Sequence, residues 1–63
     1  MRITEFWRRM EQRFGSGYAH SLAADYRLPA LGCTVAEALR AGTDPKTIWQ
    51  AVGEEFDLPN SLR

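Results

Sequence analysis

Few side chains in this sequence are of the types that make or break bonds, and their spacing limits what each can do. His20 is the single imidazole and Cys33 the single thiol. A general base needs an orienting partner within hydrogen-bond reach, and no residue is spaced along the sequence to orient His20. His20 therefore reads as a solvated residue. Cys33 directly precedes a helix start, where the helix dipole can lower a thiol pKa. The same position suits a small apolar residue packed on that helix's first turn. Together the two fall short of the three or four ligands of a zinc site, so a metal would need carboxylates or a second chain. Gly15-Ser16-Gly17 has the look of a phosphate cradle but lacks the lysine, the spacing and the preceding strand of a P-loop. It reads as a tight turn between helices. Glu54, Glu55 and Asp57 read as a solvated acidic face. The expectation is a protein with no catalytic residue, no metal and no cofactor, and not an enzyme.

Charge carries more information. The 63 residues hold eight basic and eight acidic side chains. Neutrality argues against nucleic acid as the main ligand, because phosphate binding relies on summed positive charge. The balance is uneven, however: residues 1–32 carry five basic and three acidic groups, and residues 33–63 carry three and five. Arg2, Arg9 and Arg13 fall along one flank of the first helical segment, beside Phe6. Arginine next to aromatic rings is the composition of interface hot spots. Arginine stems covering the edge of a core give the same pattern. Arg2, Arg9, Arg13, Phe6, Trp7 and Trp49 are the candidate partner-binding residues, and an exposed apolar surface beside Arg9 and Arg13 is the expected sign of such a site. A basic end could meet an acidic partner, or the acidic end of a second copy.

Four helical segments are expected to position these residues: about 5–14, 17–27, 35–41 and 45–56. Thr4 is a good N-cap with Glu5 in the first turn, and Ile3, Phe6, Trp7, Met10 and Phe14 form one stripe at 100° per residue. Gly15 supplies a stop. Ser16 can cap the second segment, whose Tyr18, Ala19, Leu22, Ala23 and Tyr26 share a face opposite His20. Leu28-Pro29-Ala30-Leu31-Gly32 reads as an apolar connector tucked in by its leucines. Thr34-Val35-Ala36-Glu37 is a capping box, followed by Val35, Ala36 and Leu39 as an apolar face and Gly42 as the end. Asp44-Pro45 is an N-cap with proline at the first helical position; Ile48, Trp49, Val52 and Phe56 make the last stripe, closed by Leu58-Pro59. Asn60 to Arg63 form a tail or a final turn.

No strand pattern competes. The expected fold is all-α: a small compact bundle of three main helices plus a short one, a single domain over 1–63. Its core is Phe6, Trp7, Met10, Phe14, Leu22, Leu39, Ile48, Trp49, Val52 and Phe56. A chain this short leaves a thin folding margin, so self-association is a live alternative to a monomer. One cysteine excludes an internal disulfide and suits a reducing cytoplasm. No apolar run approaches the roughly 20 residues of a membrane span, and the first 20 residues lack a signal-peptide core.

Two further patterns bear on function. Phe6-Trp7-x-x-Met10-x-x-x-Phe14 is echoed by Ile48-Trp49-x-x-Val52-x-x-x-Phe56. The echo suits two helices facing one core, or two tryptophans flanking one groove. Ala38 and Gly42, four apart, also suggest the packing alanine and turn glycine of a helix-turn-helix. The last helix offers Lys46, Thr47 and Gln50 to a duplex but also Asp44, Glu54 and Glu55, so a hairpin built for packing fits better.

A set of motifs runs from Met1-Arg2-Ile3-Thr4-Glu5-Phe6-Trp7-Arg8-Arg9-Met10 through Tyr18-Ala19, Leu31-Gly32, Thr34-Val35-x-Glu37-Ala38-Leu39, Gly42 and Asp44-Pro45-Lys46. It continues in Trp49-x-Ala51-Val52 and Phe56-Asp57-x-Pro59. As a set these motifs resemble an uncharacterised actinobacterial family, domain of unknown function 3046. The resemblance implies a small cytoplasmic protein without assigned activity or assigned functional residues. It also implies a link to recombination or DNA repair through neighbouring genes. Function is therefore expected to be that of a protein-interaction or regulatory module with an unidentified partner. The alternative is a weak nucleic-acid accessory using the basic flank of the first helix or the helix 3–turn–helix 4 unit.

Overall fold

A computed structural model of the chain describes residues 1–58. It contains helix α1 (Ile3–Phe14), α2 (Ser16–Asp25), a two-stranded ribbon of β1 (Arg27–Leu28) and β2 (Cys33–Thr34), α3 (Val35–Arg40) and α4 (Pro45–Glu55). The fold is mainly α, and its helices follow the expected order. The ribbon overturns the expectation of no strand. It is antiparallel, with Arg27 opposite Thr34 and Leu28 opposite Cys33. Its turn is built by Pro29, whose fixed φ suits a bend, and by Gly32 at φ +72°; the Leu31 and Gly32 amides both donate to the Leu28 carbonyl. The Arg27 guanidinium also donates to the Gly32 carbonyl at 2.9 Å. Two residues per strand are too few to display a period-2 pattern, which is why none was visible.

The first two helices begin where packing puts them. α1 starts two residues before the expected position: the Phe6 amide donates to the Arg2 carbonyl at 3.0 Å, and Arg2 is the N-cap without a side-chain bond. Thr4 lies inside the helix and caps nothing. Gly15 ends α1 and begins α2 at once, its amide donating to Glu11 and its carbonyl accepting from Ala19, both at 2.8 Å. Its φ of 87° with ψ of 148° is a conformation essentially restricted to glycine. Ser16 is therefore the first residue of α2, not its cap. α2 stops at Asp25 because Tyr26 is already extended and leads into β1.

The next two helices begin where their caps put them. The Thr34 hydroxyl accepts from the Glu37 amide at 3.1 Å, and the Glu37 carboxylate accepts from the Thr34 amide at 2.9 Å. α3 ends in a Schellman turn, with Thr43 donating to Ala38, Gly42 to Leu39, and Gly42 at φ +87°. Asp44 accepts from the Lys46 amide, and Pro45 opens α4. α4 ends on the same kind of turn, Leu58 donating to Gly53 and Asp57 standing at φ +53°. Leu58 is buried as the apolar residue of that turn. Pro59 and the expected tail from Asn60 to Arg63 lie outside the described residues.

The core holds the expected Phe6, Met10, Leu22, Ile48, Trp49 and Val52, together with Ala19, Ala23, Leu28, Val35, Ala38, Ala51 and Leu58. Trp7, Phe14, Leu39 and Phe56, expected in the core, are only half-buried around it. α2 folds back along α1, bringing His20 to Trp7 and Tyr18 to Phe14. α4 runs alongside α1 in the same direction, since Phe6 meets Trp49 at one end and Phe14 meets Phe56 at the other.

Candidate functional site

That parallel pairing of α1 and α4 explains the sequence echo: the two stripes face each other. It also separates the two tryptophans. Trp49 is 3% exposed and packs edge-on against Phe6, itself 0% exposed. Trp7 also packs edge-on against Phe6 and stacks on His20, ring centroids 4.5 Å apart and planes 15° from parallel. Of two grooves among the described residues, one is lined by Trp49 and neither by Trp7. Phe6 is core and not a contact residue, and Trp49 reaches the surface only at its rim.

His20 has the partner the sequence did not suggest. Its Nε2 lies 3.1 Å from a Glu11 carboxylate oxygen, both side chains exposed. The residues are nine apart and meet only because Gly15 turns the chain back. Cys33 is half-buried beside the core. Among the described residues, no three histidine, cysteine or carboxylate side chains are grouped to hold a metal ion. Nor is any helix there long and apolar enough to cross a membrane.

The candidate basic residues divide between two surfaces along α1, Arg9 lying in its middle and Arg13 one turn further on. On the first surface a groove of about 350 Å³ runs between α1 and α4, lined by Met1, Glu5, Arg9, Lys46, Trp49 and Gln50. The cap at Asp44 and Pro45 sets the start of α4, so Lys46 and Gln50 come out on the rim while Trp49 turns inward. Arg9 donates through Nε to Glu5 at 3.0 Å, and Arg8 donates to both Glu5 oxygens at 2.9 and 3.0 Å. The Arg8 guanidinium first, then Arg9, hold the Glu5 carboxyl below its usual range. Arg2 and the apolar side chains of Met1 and Ile3 are exposed at the start of α1. Lys46 has no carboxylate within ion-pair distance among the described residues.

On the other surface Arg13 lies over the Phe14 ring, 5.1 Å from its centroid. From there aromatic contacts continue: Phe14 to Tyr18 at 6.2 Å, Phe14 to Phe56 at 5.1 Å, and Phe56 to Tyr26 at 5.3 Å. The Tyr26 hydroxyl donates to Glu55, and that bond, before burial, raises the phenol above its usual pKa. Tyr18 and Tyr26, expected on the packed face of the second helix, are 58% and 38% exposed. Arg13, one turn beyond Arg9 on the same helix, belongs to an aromatic pole that no sequence pattern singles out. The signal available was the concentration of four rings near helix ends, Phe14, Tyr26 and Phe56 past the last buried residue of their helices and Tyr18 before the first of its own.

A family model described as a protein of unknown function (DUF3046) matches residues 1–61. No curated protein and no solved structure matches the chain.

Proposed function

We propose that this chain, which belongs to the DUF3046 family of proteins of unknown function, is a protein-interaction module. Its docking site is the groove between the first two turns of α1 and of α4, and its partner presents an acidic segment with an apolar side chain. The observation that carries this reading is one groove lined by Lys46, by Arg9 with its partner Glu5, and by Met1 and the rim of Trp49. Lys46 without a carboxylate partner among the described residues, beside a Glu5-paired Arg9 and apolar surface, matches a carboxylate-bearing helix or loop better than bare phosphate. Arg2 is exposed next to Met1 in the chain, while Phe6 packs edge-on against Trp49 and fixes the groove wall.

A photo-crosslinking residue at Gln50, with Ala30 as an exposed control, tests this in cells that make the protein. A discrete protein adduct from Gln50, lost in Lys46→Glu and absent from Ala30, is expected. Adducts to nucleic acid, or equal protein adducts from both positions, would overturn the reading. A nucleic-acid adduct that vanishes above about 150 mM salt would point to phosphate contact alone.

A further inference from the structure

We infer that the aromatic pole around Phe14, Tyr18, Tyr26 and Phe56 is the interface of a twofold-symmetric dimer of this chain. Four linked rings at one end of a 63-residue molecule, two of them on exposed tyrosines, form an apolar surface of the kind that marks a contact site. A shallow groove of about 190 Å³ between Tyr18 and Tyr26, edged by Ser21 and Asp25, gives that surface relief.

Charge selects the occupant. Along the contacts the order is Arg13, Phe14, Phe56, Tyr26, Glu55, so a cation flanks one side of the rings and a carboxylate the other. Asp25 stands beside Tyr26 on the acidic side. Neither Arg13 nor Asp25 has an ion pair among the described residues. Asp25 and Glu55 are moreover the last residues of α2 and α4, with no basic side chain in either final turn. A carboxylate there faces the negative end of a helix dipole, which is unfavourable within one chain and is relieved by a cation from outside.

A twofold interface must be self-complementary, each residue meeting its counterpart's partner. An axis through the middle of the rings sets Arg13 of each copy opposite Asp25 and Glu55 of the other, twice. The second copy thus already carries the required pattern. A molecule of zero net charge also has no overall repulsion to overcome.

Sedimentation equilibrium on the whole chain, up to about 1 mM because a contact confined to one pole is small, tests the dimer. The 7.2 kDa chain is expected to approach twice its mass. Arg13→Glu alone and the pair Asp25→Arg with Glu55→Arg alone should each remain monomeric, with helicity retained by circular dichroism. Mixed together, these two variants restore opposite charges on both sides of the axis and should form a heterodimer. A wild-type chain that stays monomeric, an Arg13→Glu variant that dimerises like wild type, or a mixture that stays monomeric would each overturn the inference.

Discussion

The two halves of the molecule reach their helices by different means. In the second half the start of each helix is fixed by its own side chains: the Thr34–Glu37 capping box for α3, Asp44 and Pro45 for α4. In the first half neither α1 nor α2 has a side-chain cap, and the two share Gly15 as their joint. There the limits are set by what is buried: Phe6 and Met10 from α1, Ala19, Leu22 and Ala23 from α2. Local hydrogen bonds specify one half; tertiary packing and one glycine specify the other.

The largest effect expected from this contrast comes from the packed half. Phe6 is fully buried between Trp7 and Trp49, so Phe6→Ala leaves a cavity at the centre of the core. A loss of about 3–5 kcal/mol is expected, most of the stability of so small a domain. Urea denaturation measures it. A loss under about 1 kcal/mol would mean that the α1–α4 pairing is not what holds the first half.

The joint comes next. A methyl group at Gly15 would meet nothing within 4 Å, so space is no obstacle to Gly15→Ala. The obstacle is the backbone, in a region that side chains rarely enter, and a loss of about 1–3 kcal/mol is expected. Ser16→Ala beside it should change stability by less than about 0.5 kcal/mol, because Ser16 caps nothing. Equal losses at the two positions would show that a serine cap is used after all and would erase the contrast.

The same contrast governs what was legible in the sequence. α3 and α4 match their expected ranges to within a residue, because a capping box and an Asp-Pro pair act on neighbours in the chain. The errors cluster in the first half. Thr4 and Ser16 have the right side chains for caps, yet the Arg2 and Gly15 carbonyls already accept the first helical bonds, from Phe6 and Ala19, and each helix begins there. The ribbon leaves no mark in the sequence because Leu28 and Cys33 pair across a turn, not within a pattern. The candidate site was legible only in composition. Arginines beside aromatics are visible in the sequence; which of them share a surface depends on how α4 lies along α1. That arrangement sends Arg9 to a groove with Lys46 and Arg13 to the aromatic pole.

The smallest expected effect separates the halves by pH and salt. Each half holds one carboxylate whose pKa lies below the ordinary 4.5: Glu37, held down first by the Thr34 amide and then by its hydroxyl, and Glu5, held down by Arg8 and Arg9. A group depressed in the folded state stabilises the fold above its unfolded pKa, and that contribution disappears as pH falls through the folded value. Wild type should therefore lose stability below about pH 4.5, while Glu37→Gln and Glu5→Gln each flatten part of that decline. Salt divides them. The Glu5 contribution rests on exposed guanidinium groups and should shrink at about 1 M salt, where the screening length is about 3 Å. The Glu37 contribution rests on a directed bond from a backbone amide and should persist. Thermal melts from pH 6 to pH 3 with and without salt measure both. An acid decline in Glu5→Gln that salt abolishes would place Glu37 under side-chain charge control and end the distinction between a half set by caps and a half set by packing.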